Sequence, residues 1–419
     1  MFFTSSFRKS AYVAEMKRNQ WKNQKALDRI QEEKLGKLLS YARENIPYYR
    51  KNLPEQAGGL DSIPILNKQT VREHGDALMN PKRGGGRLLH KKTSGSTGRP
   101  LDLYFNYHDC IYGNALRHHI LSECGFNRFG RLVNLTTDRI MPPFQGLLYR
   151  VAYIPISEDE QKALETLKRL KPDITLSHPS QAVILARLNA ESDKPLSIRS
   201  MVMLSEQLSD QARAEIAKSF SSDVRNWYGA RESWGIAFEC EEGGMHICSD
   251  SVIMEILDGE GHPVKPGQEG DVILTSLWNR TMPFIRYKVG DRAALGGTCK
   301  CGRGLPVLKK LAGRDDDFVV LPSGRIRSLR SLNITRTFAL HEKTLAFMLV
   351  EENEELFIVK YVPHGQGLSE KDKEQIAGRI KEGCLGEEVT VEFEEASSIP
   401  KSATGKLQKF ISKPYRRRK

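Results

Sequence analysis

Apolar and polar residues follow different patterns in successive parts of the chain. Apolar residues at helical spacing run from Leu27 to Ile46, and Pro47 then ends the predicted helix. Between about residues 130 and 230, short apolar runs such as DITLS and SMVML alternate with helical patterns such as DQARAEIAKSF. Strands that alternate with helices in this way predict a parallel sheet covered by helices.

The pattern changes in the second half of the chain. From Met245 to Leu295, shorter strands are separated by Gly-Glu-Gly and Pro-Gly turns, which predicts an antiparallel subdomain. After Arg314 a strand pair, a helix and a further strand form a compact α+β unit. We therefore predict an α/β fold with a large N-terminal domain over residues 1–313 and a small α+β C-terminal domain over residues 314–419.

Composition and charge narrow the class of protein. No run of about 18 apolar residues occurs and no secretory signal is recognisable, so we expect a soluble, cytoplasmic protein. The net charge of +12 is concentrated at the chain ends, as in the tail Lys413–Lys419. Such ends are either solvated tails or weak contacts with an anionic membrane surface. No aromatic-rich basic stripe accompanies them, so no nucleic-acid partner is expected.

A loop rich in glycine and hydroxyl groups lies within the segment PKRGGGRLLHKKTSGSTGRP. Its backbone N–H groups and side-chain hydroxyls can surround phosphate oxygens. The loop lacks the Lys-Ser/Thr ending of the GxxxxGK[ST] nucleotide-binding motif, which disfavours that family. Taken alone, it is either a phosphate loop or a flexible linker. The residues concerned are Thr93, Ser94, Gly95, Ser96, Thr97 and Gly98.

Two further groups of residues are candidates for binding a nucleotide. Tyr228, Gly229 and Glu232 follow the predicted strand VRNW, and ligands gather at the carboxyl ends of strands in open α/β sheets. These residues suit a base and a metal ion, or else an ordinary turn. Asp291 can accept ribose hydroxyl protons and Arg314 carries a fixed positive charge, although a Gly-Asp turn and an acidic interdomain loop are also common structural features.

A lysine near the C-terminus is the last candidate for catalysis. Lys406 lies in PKSATGK, where glycine and small residues let it project from a loop. Such a cation can neutralise charge that develops on an α-phosphate, but most lysines near a terminus are simply solvated.

Five segments, taken together and in order, resemble the adenylate-forming superfamily of acyl-CoA synthetases, nonribosomal adenylation domains and luciferases. They are TSGSTGRP, YGARE, YKVGD, GRDDD and PKSATGK, spread from residue 93 to residue 406. Within that superfamily, YARENIPYYRK, IPILNKQTVRE and the Cys-Lys-Cys-Gly-Arg run resemble phenylacetate-CoA ligases and their relatives. Those relatives include adenylating proteins of capsular-polysaccharide clusters.

The resemblance implies a role for each motif. The loop Thr93–Gly98 would grip the ATP phosphates, and Lys406 would be the adenylation lysine on a mobile C-terminal domain. Asp316 would be the hinge of that domain. The remaining implied roles are a nucleotide and acyl pocket lined by Ser205 and Glu206, adenine packing by Tyr228 and Gly229, magnesium binding by Glu232, and ribose binding by Asp291 and Arg314. One departure concerns Arg231, which stands where the family has threonine, so phosphate contacts at that turn differ.

Three cysteines and a histidine form a candidate metal site. Cys240, His246, Cys299 and Cys301 offer thiolates and an imidazole, which suit tetrahedral structural zinc. The spacing is not that of a standard zinc finger, and Cys248 can replace or supplement a ligand. The alternatives are a zinc site that staples the antiparallel subdomain and a set of reduced structural cysteines.

The sequence therefore predicts an AMP-forming carboxylate ligase that uses ATP and Mg²⁺ and transfers the acyl group to coenzyme A. The alternative acceptor is an amine or a sugar in surface-polysaccharide biosynthesis. A third alternative is a basic, membrane-associated binding protein with a decayed site. An aromatic acid is the substrate that the resemblance implies, and a homodimer is usual for relatives of this size.

Overall fold

Segments from distant parts of the sequence combine into two units in a computed structural model of the chain. The structure describes residues 2–54, 59–82, 88–93, 101–127, 129–135, 150–156, 158–312, 318–332, 343–363, 366–400 and 410–414. The first unit comprises Met1–Lys91, Asp102–Asn127 and Arg225–Arg314. The second unit comprises Lys92–Leu101, Arg128–Val224 and Asp315–Lys419.

Side-chain caps define where several helices begin. Asn23 caps α2 through Ala26 N, and Asn106 and Asp109 form a reciprocal capping box at the start of α5. The helices of the first unit are α1 (Phe2–Asn19), α2 (Gln24–Asn45), α3 (Pro47–Asn52), α4 (Lys68–Glu73) and α5 (Tyr107–Glu123). Those of the second unit are α6 (Glu160–Leu170), α7 (Pro179–Ala190), α8 (Asp210–Phe220) and α9 (Glu370–Gly383).

The first unit holds the antiparallel part of the fold. Its strands are β1 (Leu89–Lys92), β2 (Asp102–Phe105), β7 (Asp223–Tyr228), β8 (Ala237–Glu239), β9 (Met245–Ile247), β10 (Val252–Leu257), β11 (Gly270–Ser276), β12 (Tyr287–Leu295) and β13 (Val307–Ala312). Strands β7 to β13 pair in the order β10-β11-β12-β13-β9-β8-β7. Neighbouring strands in this order are antiparallel, so the antiparallel subdomain predicted from the turn-rich segment is confirmed.

The second unit holds the parallel part of the fold and a C-terminal α+β body. Its strands are β3 (Arg131–Leu135), β4 (Arg150–Tyr153), β5 (Ile174–Ser177), β6 (Ser200–Leu204), β14 (Phe318–Val320), β15 (Ile326–Ser328), β16 (Thr344–Asn353), β17 (Leu356–Pro363), β18 (Thr390–Glu395) and β19 (Phe410–Ser412). Strands β6-β5-β3-β4 are parallel, which confirms the predicted α/β class. Strands β18-β17-β16-β19 form a mixed sheet.

Two hydrophobic clusters of the second unit explain why its elements pack as they do. Residues such as Val133 and Met201 on one face of the parallel strands contact apolar residues of α6, α7 and α8, including Leu164. A separate cluster joins the hairpin β14–β15 to the C-terminal sheet and α9, through residues such as Leu321 and Ile376. The hairpin therefore belongs to the C-terminal body. A mobile domain over residues 314–419 stays a prediction.

Among the residues that the structure describes, the helices include none that is both long and apolar enough to cross a membrane. The helix expected over Leu27 to Ile46 is present as α2.

Candidate active site

A tight turn follows β7 and presents the predicted nucleotide-binding residues. Tyr228 ends the strand, and Ile236 N returns to donate to Tyr228 O at 2.9 Å. A Cβ at Gly229 would lie 2.4 Å from Trp234 O, so only glycine fits there. The sequence motif is thus explained by close backbone approach at the end of the strand.

Two tyrosine hydroxyls in the first unit each bind a predicted site carboxylate. Tyr228 donates to Asp291 Oδ2 at 3.0 Å, and Tyr287 donates to Glu232 Oε1 at 2.8 Å. Burial, together with the carboxylates of Asp291 and Glu232, holds the pKa of Tyr228 well above its usual value. Burial and Glu232 raise the pKa of Tyr287 in the same way. Both phenols therefore stay protonated and hold the two carboxylates in fixed orientations.

Trp234 occupies a closely fitted position beside this turn. Its φ of 61° lies in the left-handed region, which is costly for a tryptophan. Its indole contacts Phe105 and Trp278 edge to face, and Lys91 Nζ lies 4.2 Å from its ring centroid. A Cβ at Gly113 would come within 2.3 Å of the indole. The backbone, the glycine and the aromatic neighbours together fix one orientation of the ring.

Two predicted pocket residues lie in the second unit, directly after β6. Ser205 has a φ of 68°, and Glu206 Oε2 accepts a hydrogen bond from Ser180 N at 3.0 Å in the first turn of α7. A carboxylate in that position is favoured by the helix dipole. His178 Nδ1 lies 3.0 Å from Leu204 O, and because a carbonyl only accepts, this nitrogen carries the proton. Glu206 therefore has a structural contact, and its pocket role stays a prediction.

Thr93 closes the base of the predicted phosphate loop. Thr93 N donates to Leu101 O at 2.9 Å, and Thr93 Oγ1 accepts from Leu101 N at 2.8 Å. The predicted residues Ser94, Gly95, Ser96, Thr97, Gly98, Arg314, Asp316 and Lys406 lie outside the described residues. Their roles stay predictions.

The four predicted metal ligands come together in the first unit. The ligand atoms of Cys240, His246, Cys299 and Cys301 all lie within 4.8 Å of one another. Cys240 Sγ is 3.5 Å from Cys299 Sγ, and Cys301 Sγ is 3.2 Å from His246 Nε2. His246 Nδ1 lies 3.2 Å from Leu305 O and donates its proton there, which leaves the Nε2 lone pair facing the thiols. Four potential ligands from two segments far apart in the sequence are thus brought close together.

Arg303 anchors the loop that carries two of these cysteines. It donates to Glu123 Oε2 at 2.7 Å and to Glu241 Oε1 at 2.9 Å. Its guanidinium also lies over the ring of Trp21, 4.9 Å from the centroid. The side chain is nearly fully buried, so these charge-assisted bonds hold the cysteine loop against α5 and the residues after α1.

Several residues that lie in or beside these sites had no predicted role. Tyr287 and Arg303 belong to the segments YKVGD and Cys-Lys-Cys-Gly-Arg, and a hydroxyl within a candidate nucleotide-binding motif was the available signal for Tyr287. Lys91 precedes the phosphate loop, but nothing in its neighbourhood along the chain indicates its contact with Trp234.

Comparisons with known proteins agree with these motifs. No protein-family profile matches the chain. A phenylacetate-coenzyme A ligase of Thermus thermophilus is 26% identical over 317 residues, covering 70% of this chain and 71% of the relative. Protein CapK of Staphylococcus aureus is 22% identical over 435 aligned residues, covering 96% and 92%. A phenylacetate-coenzyme A ligase of Pseudomonas putida is 26% identical over 363 residues, covering 80% and 79%.

The fold has a close match among solved structures. A crystal structure of 2-hydroxyisobutyryl-CoA ligase with its acyl-AMP and CoA superposes with a TM-score of 0.68. The two chains are 18% identical, and the match covers 96% of this chain and 92% of the ligase. A second structure of that ligase, in the postadenylation state, gives a TM-score of 0.61 at 19% identity, covering 96% and 92%. The fold is therefore that of an adenylate-forming CoA ligase.

Proposed function

We propose that this chain, a homologue of the phenylacetate-CoA ligases and of CapK, activates a carboxylic acid with ATP and transfers the acyl group to coenzyme A. The observation that carries the proposal is the pairing of Tyr228 with Asp291 and of Tyr287 with Glu232 at one strand end. In the reaction, a substrate carboxylate oxygen attacks the α-phosphate, and the bond to pyrophosphate breaks. The coenzyme A thiol then attacks the acyl carbon, and AMP leaves.

Different described residues contact different parts of the nucleotide in the proposed complex. Asp291 accepts hydrogen bonds from the ribose hydroxyls, and Tyr228 holds that carboxylate while its ring packs against the adenine. Glu232 fits a magnesium site, because Mg²⁺ in nucleotide sites takes one or two carboxylates and fills its shell with water and phosphate oxygens. When bound, the ion supplies positive charge beside the phosphates. Tyr287 orients the Glu232 carboxylate toward that task.

The acid is proposed to be aromatic. Trp234 is partly exposed, and its ring is held in one orientation by Phe105, Trp278 and the close approach of Gly113. A fixed aromatic surface beside the nucleotide residues favours a flat apolar acyl group, since offset or edge contacts between rings add to apolar burial.

Pyrophosphate release from the purified protein tests the proposal. The protein is incubated with ATP, Mg²⁺ and aryl, fatty or hydroxy acids, with and without coenzyme A, beside Lys406→Ala. Lysine-dependent release that rises with coenzyme A is expected, together with an acyl-CoA product. No release with any acid would contradict the proposal and favour a binding protein with a decayed site.

An amine, for example on a sugar in surface-polysaccharide synthesis, is the second candidate acceptor. The match to CapK spans nearly the whole of both chains, whereas the phenylacetate-CoA ligases match over less of this chain. In the same assay, lysine-dependent release that is indifferent to coenzyme A would favour this acceptor. Mass spectrometry of products formed with candidate amines then identifies it.

Asp291→Asn is expected to raise the KM for ATP about tenfold or more, with a smaller effect on kcat. The amide presents only one accepting atom, so it loses charge-assisted hydrogen bonds that each contribute about 1.5–3 kcal/mol. Steady-state pyrophosphate release measures the change. Asp271→Asn is the matched control, because Asp271 binds Lys288 on the neighbouring strand of the same sheet. A KM for ATP in Asp291→Asn that equals the KM in Asp271→Asn and in the wild type would contradict the proposed role of Asp291.

We also propose that the cysteine–histidine group holds structural zinc. Zn–S bonds of about 2.3 Å in a tetrahedral site place sulfur ligands roughly 3.8 Å apart, close to the separation of Cys240 and Cys299. The donor to Leu305 O fixes the histidine tautomer that a metal requires. The ion would staple β8, β9 and the cysteine loop, and it takes no part in the reaction.

Cys301→Ser is expected to lose bound zinc and to lower the free energy of unfolding by several kcal/mol, because the binding energy of a structural metal is folding energy. Metal analysis and thermal unfolding, each with and without a chelator, measure both effects. Cys384→Ala is the control, since Cys384 is buried in the C-terminal body, away from the four ligands. If the wild-type protein contains no zinc and unfolds at the same temperature with and without the chelator, the four side chains are reduced structural residues and not a metal site.

Three finer features stay proposals of the same kind. They are a homodimer, a cytoplasmic location and a weak contact between the basic chain ends and an anionic membrane surface. Light scattering and vesicle sedimentation test the first and the third.

A further inference from the structure

A network of ion pairs joins the C-terminal body to the first turn of α6. Arg327, in the middle of β15, is fully buried and donates through Nε to both oxygens of Glu160, at 2.8 and 2.9 Å. Its Nη2 donates to Glu158 O at 3.0 Å, and its Nη1 donates to Gly383 O at the end of α9. One guanidinium therefore contacts both α6 and α9.

A second arginine strengthens the same contact nearer the surface. Arg325 Nη1 donates to Asp159 Oδ2 at 3.0 Å, and Arg325 Nη2 donates to Glu387 Oε1 at 2.7 Å. Asp159 is the N-cap of α6 and Glu387 follows α9. Both arginines of the hairpin thus bridge the same two parts of the second unit.

The two parts have separate hydrophobic clusters. Helix α6 contributes Leu164 and Leu167 to the cluster on the parallel strands. The hairpin contributes Val319 and Leu321 to the cluster of the C-terminal body. In the described residues, the apolar side of the hairpin faces its own body, and its arginines reach α6. Strand β15 also lies beside α7, so the ion pairs to α6 are one part of the contact between the C-terminal body and the helices of the parallel sheet.

We propose that Arg327 and Glu160 form a positioning latch that holds the C-terminal body, which comprises β14 to β19 and α9, against α6, and that the latch opens for one of the two half-reactions. This inference rests on the proposed function, which requires both adenylation and acyl transfer. The segment PKSATGK, with Lys406, precedes β19 of that body along the chain, so we expect the position of the body to affect the half-reaction that uses this lysine. Arg327 and Glu160 act through that placement and do not contact substrate.

The buried geometry makes the latch specific for one position. A planar guanidinium that binds a carboxylate with two bonds loses both when the body rotates. Each partner left buried without the other is costly, so intermediate positions are disfavoured. The latch therefore favours two discrete positions over a continuous range, and a population shift between them changes one half-reaction more than the other.

Glu160→Gln tests the latch, because glutamine keeps the shape of the side chain and removes its charge. Glu215→Gln is the matched control, since it removes a carboxylate from the exposed Arg187–Glu215 pair of the same unit. Hydrogen–deuterium exchange is followed in residues 158–164 and 318–328. Single-turnover rates are measured for adenylate formation and, separately, for transfer from preformed acyl-adenylate to coenzyme A.

The expected result for Glu160→Gln is exchange at least about tenfold faster in both segments, with unchanged exchange in β3 and β5. The half-reaction performed in the latched position slows by about tenfold or more, and the other does not slow. Arg327→Lys, which keeps the charge but not the paired geometry, gives an intermediate effect. The control variant changes neither readout.

Two results would refute the proposed latch. One is unchanged exchange and an unchanged ratio of half-reaction rates in Glu160→Gln. The other is faster exchange throughout the unit with both rates reduced equally, which would mark a purely structural ion pair. If the wild-type protein forms no adenylate, the proposed function fails, while the exchange measurement still decides whether the contact opens.

Discussion

Lys406→Ala is expected to slow adenylate formation by about a hundredfold or more. As pyrophosphate leaves, negative charge builds on the α-phosphate, and a positioned cation stabilises that charge more than it stabilises bound ATP. Removal of one well-placed electrostatic donor typically costs roughly 3–4 kcal/mol in the barrier. Because the loss is confined to the transition state, kcat should fall with little change in the KM for ATP.

The neighbouring lysines provide a stringent control for this variant. Lys401 and Lys409 lie in the same segment, so Lys401→Ala and Lys409→Ala change its net charge by the same amount. Only loss of Lys406 should affect single-turnover pyrophosphate formation strongly, while transfer from preformed acyl-adenylate should proceed in all three variants. An unchanged adenylation rate in Lys406→Ala would refute the catalytic role of Lys406. Equal losses of adenylation rate in all three variants would instead indicate a general effect of positive charge in the segment.

Much of the fold was predictable because its determinants are local. The alternation of apolar runs with helical patterns gave the parallel strands β3, β5 and β6 with α6 to α8, since periods near 2 and 3.6 are set within each segment. The Gly- and Pro-rich turns likewise gave the antiparallel strands. The pairing order of β9 with β13 was not predictable, because it depends on contacts between segments far apart in the sequence.

The same distinction between local and long-range determinants applies to the candidate site. Gly229 and Asp291 were predicted as site residues because their motifs occur in the order that the superfamily resemblance implies. The grouping of Cys240 and His246 with the later cysteine pair was predicted from residue type, and the structure shows that the four side chains lie close together. The left-handed backbone of Trp234 was not foreseeable, because it follows from close packing against other segments.

Long-range ion pairs are the feature least visible in the sequence. Glu160 and Arg327 are separated by 167 positions and belong to ordinary amphipathic elements. Each alone is typical of a solvated charge, and only burial in one place reveals the pair. Such contacts matter here because the proposed reaction needs the C-terminal body in two positions. In the proposed mechanism, a hinge at Asp316 permits the movement, and the Arg327–Glu160 latch sets the relative population of the two positions.

Asp316→Pro is expected to preserve adenylation and to stop acyl transfer to coenzyme A. Proline fixes φ near −65° and also restricts the residue before it, so a hinge that must change its backbone angles between two positions is held in one. We expect the held position to be the one that forms the adenylate. Adenylate should therefore accumulate on the enzyme in a single-turnover experiment, and added coenzyme A should not discharge it.

Asp316→Ala separates the backbone effect from loss of the carboxylate. Alanine leaves φ free to change, so this variant should perform both half-reactions at rates close to those of the wild type. The double variant Asp316→Pro/Glu160→Gln then distinguishes the hinge from the latch. If the hinge is fixed, loss of the Arg327–Glu160 pair should have no further effect on acyl transfer. If Asp316→Pro transfers the acyl group as fast as Asp316→Ala, the backbone at this position does not change during the cycle, and the movement must take place elsewhere in the chain.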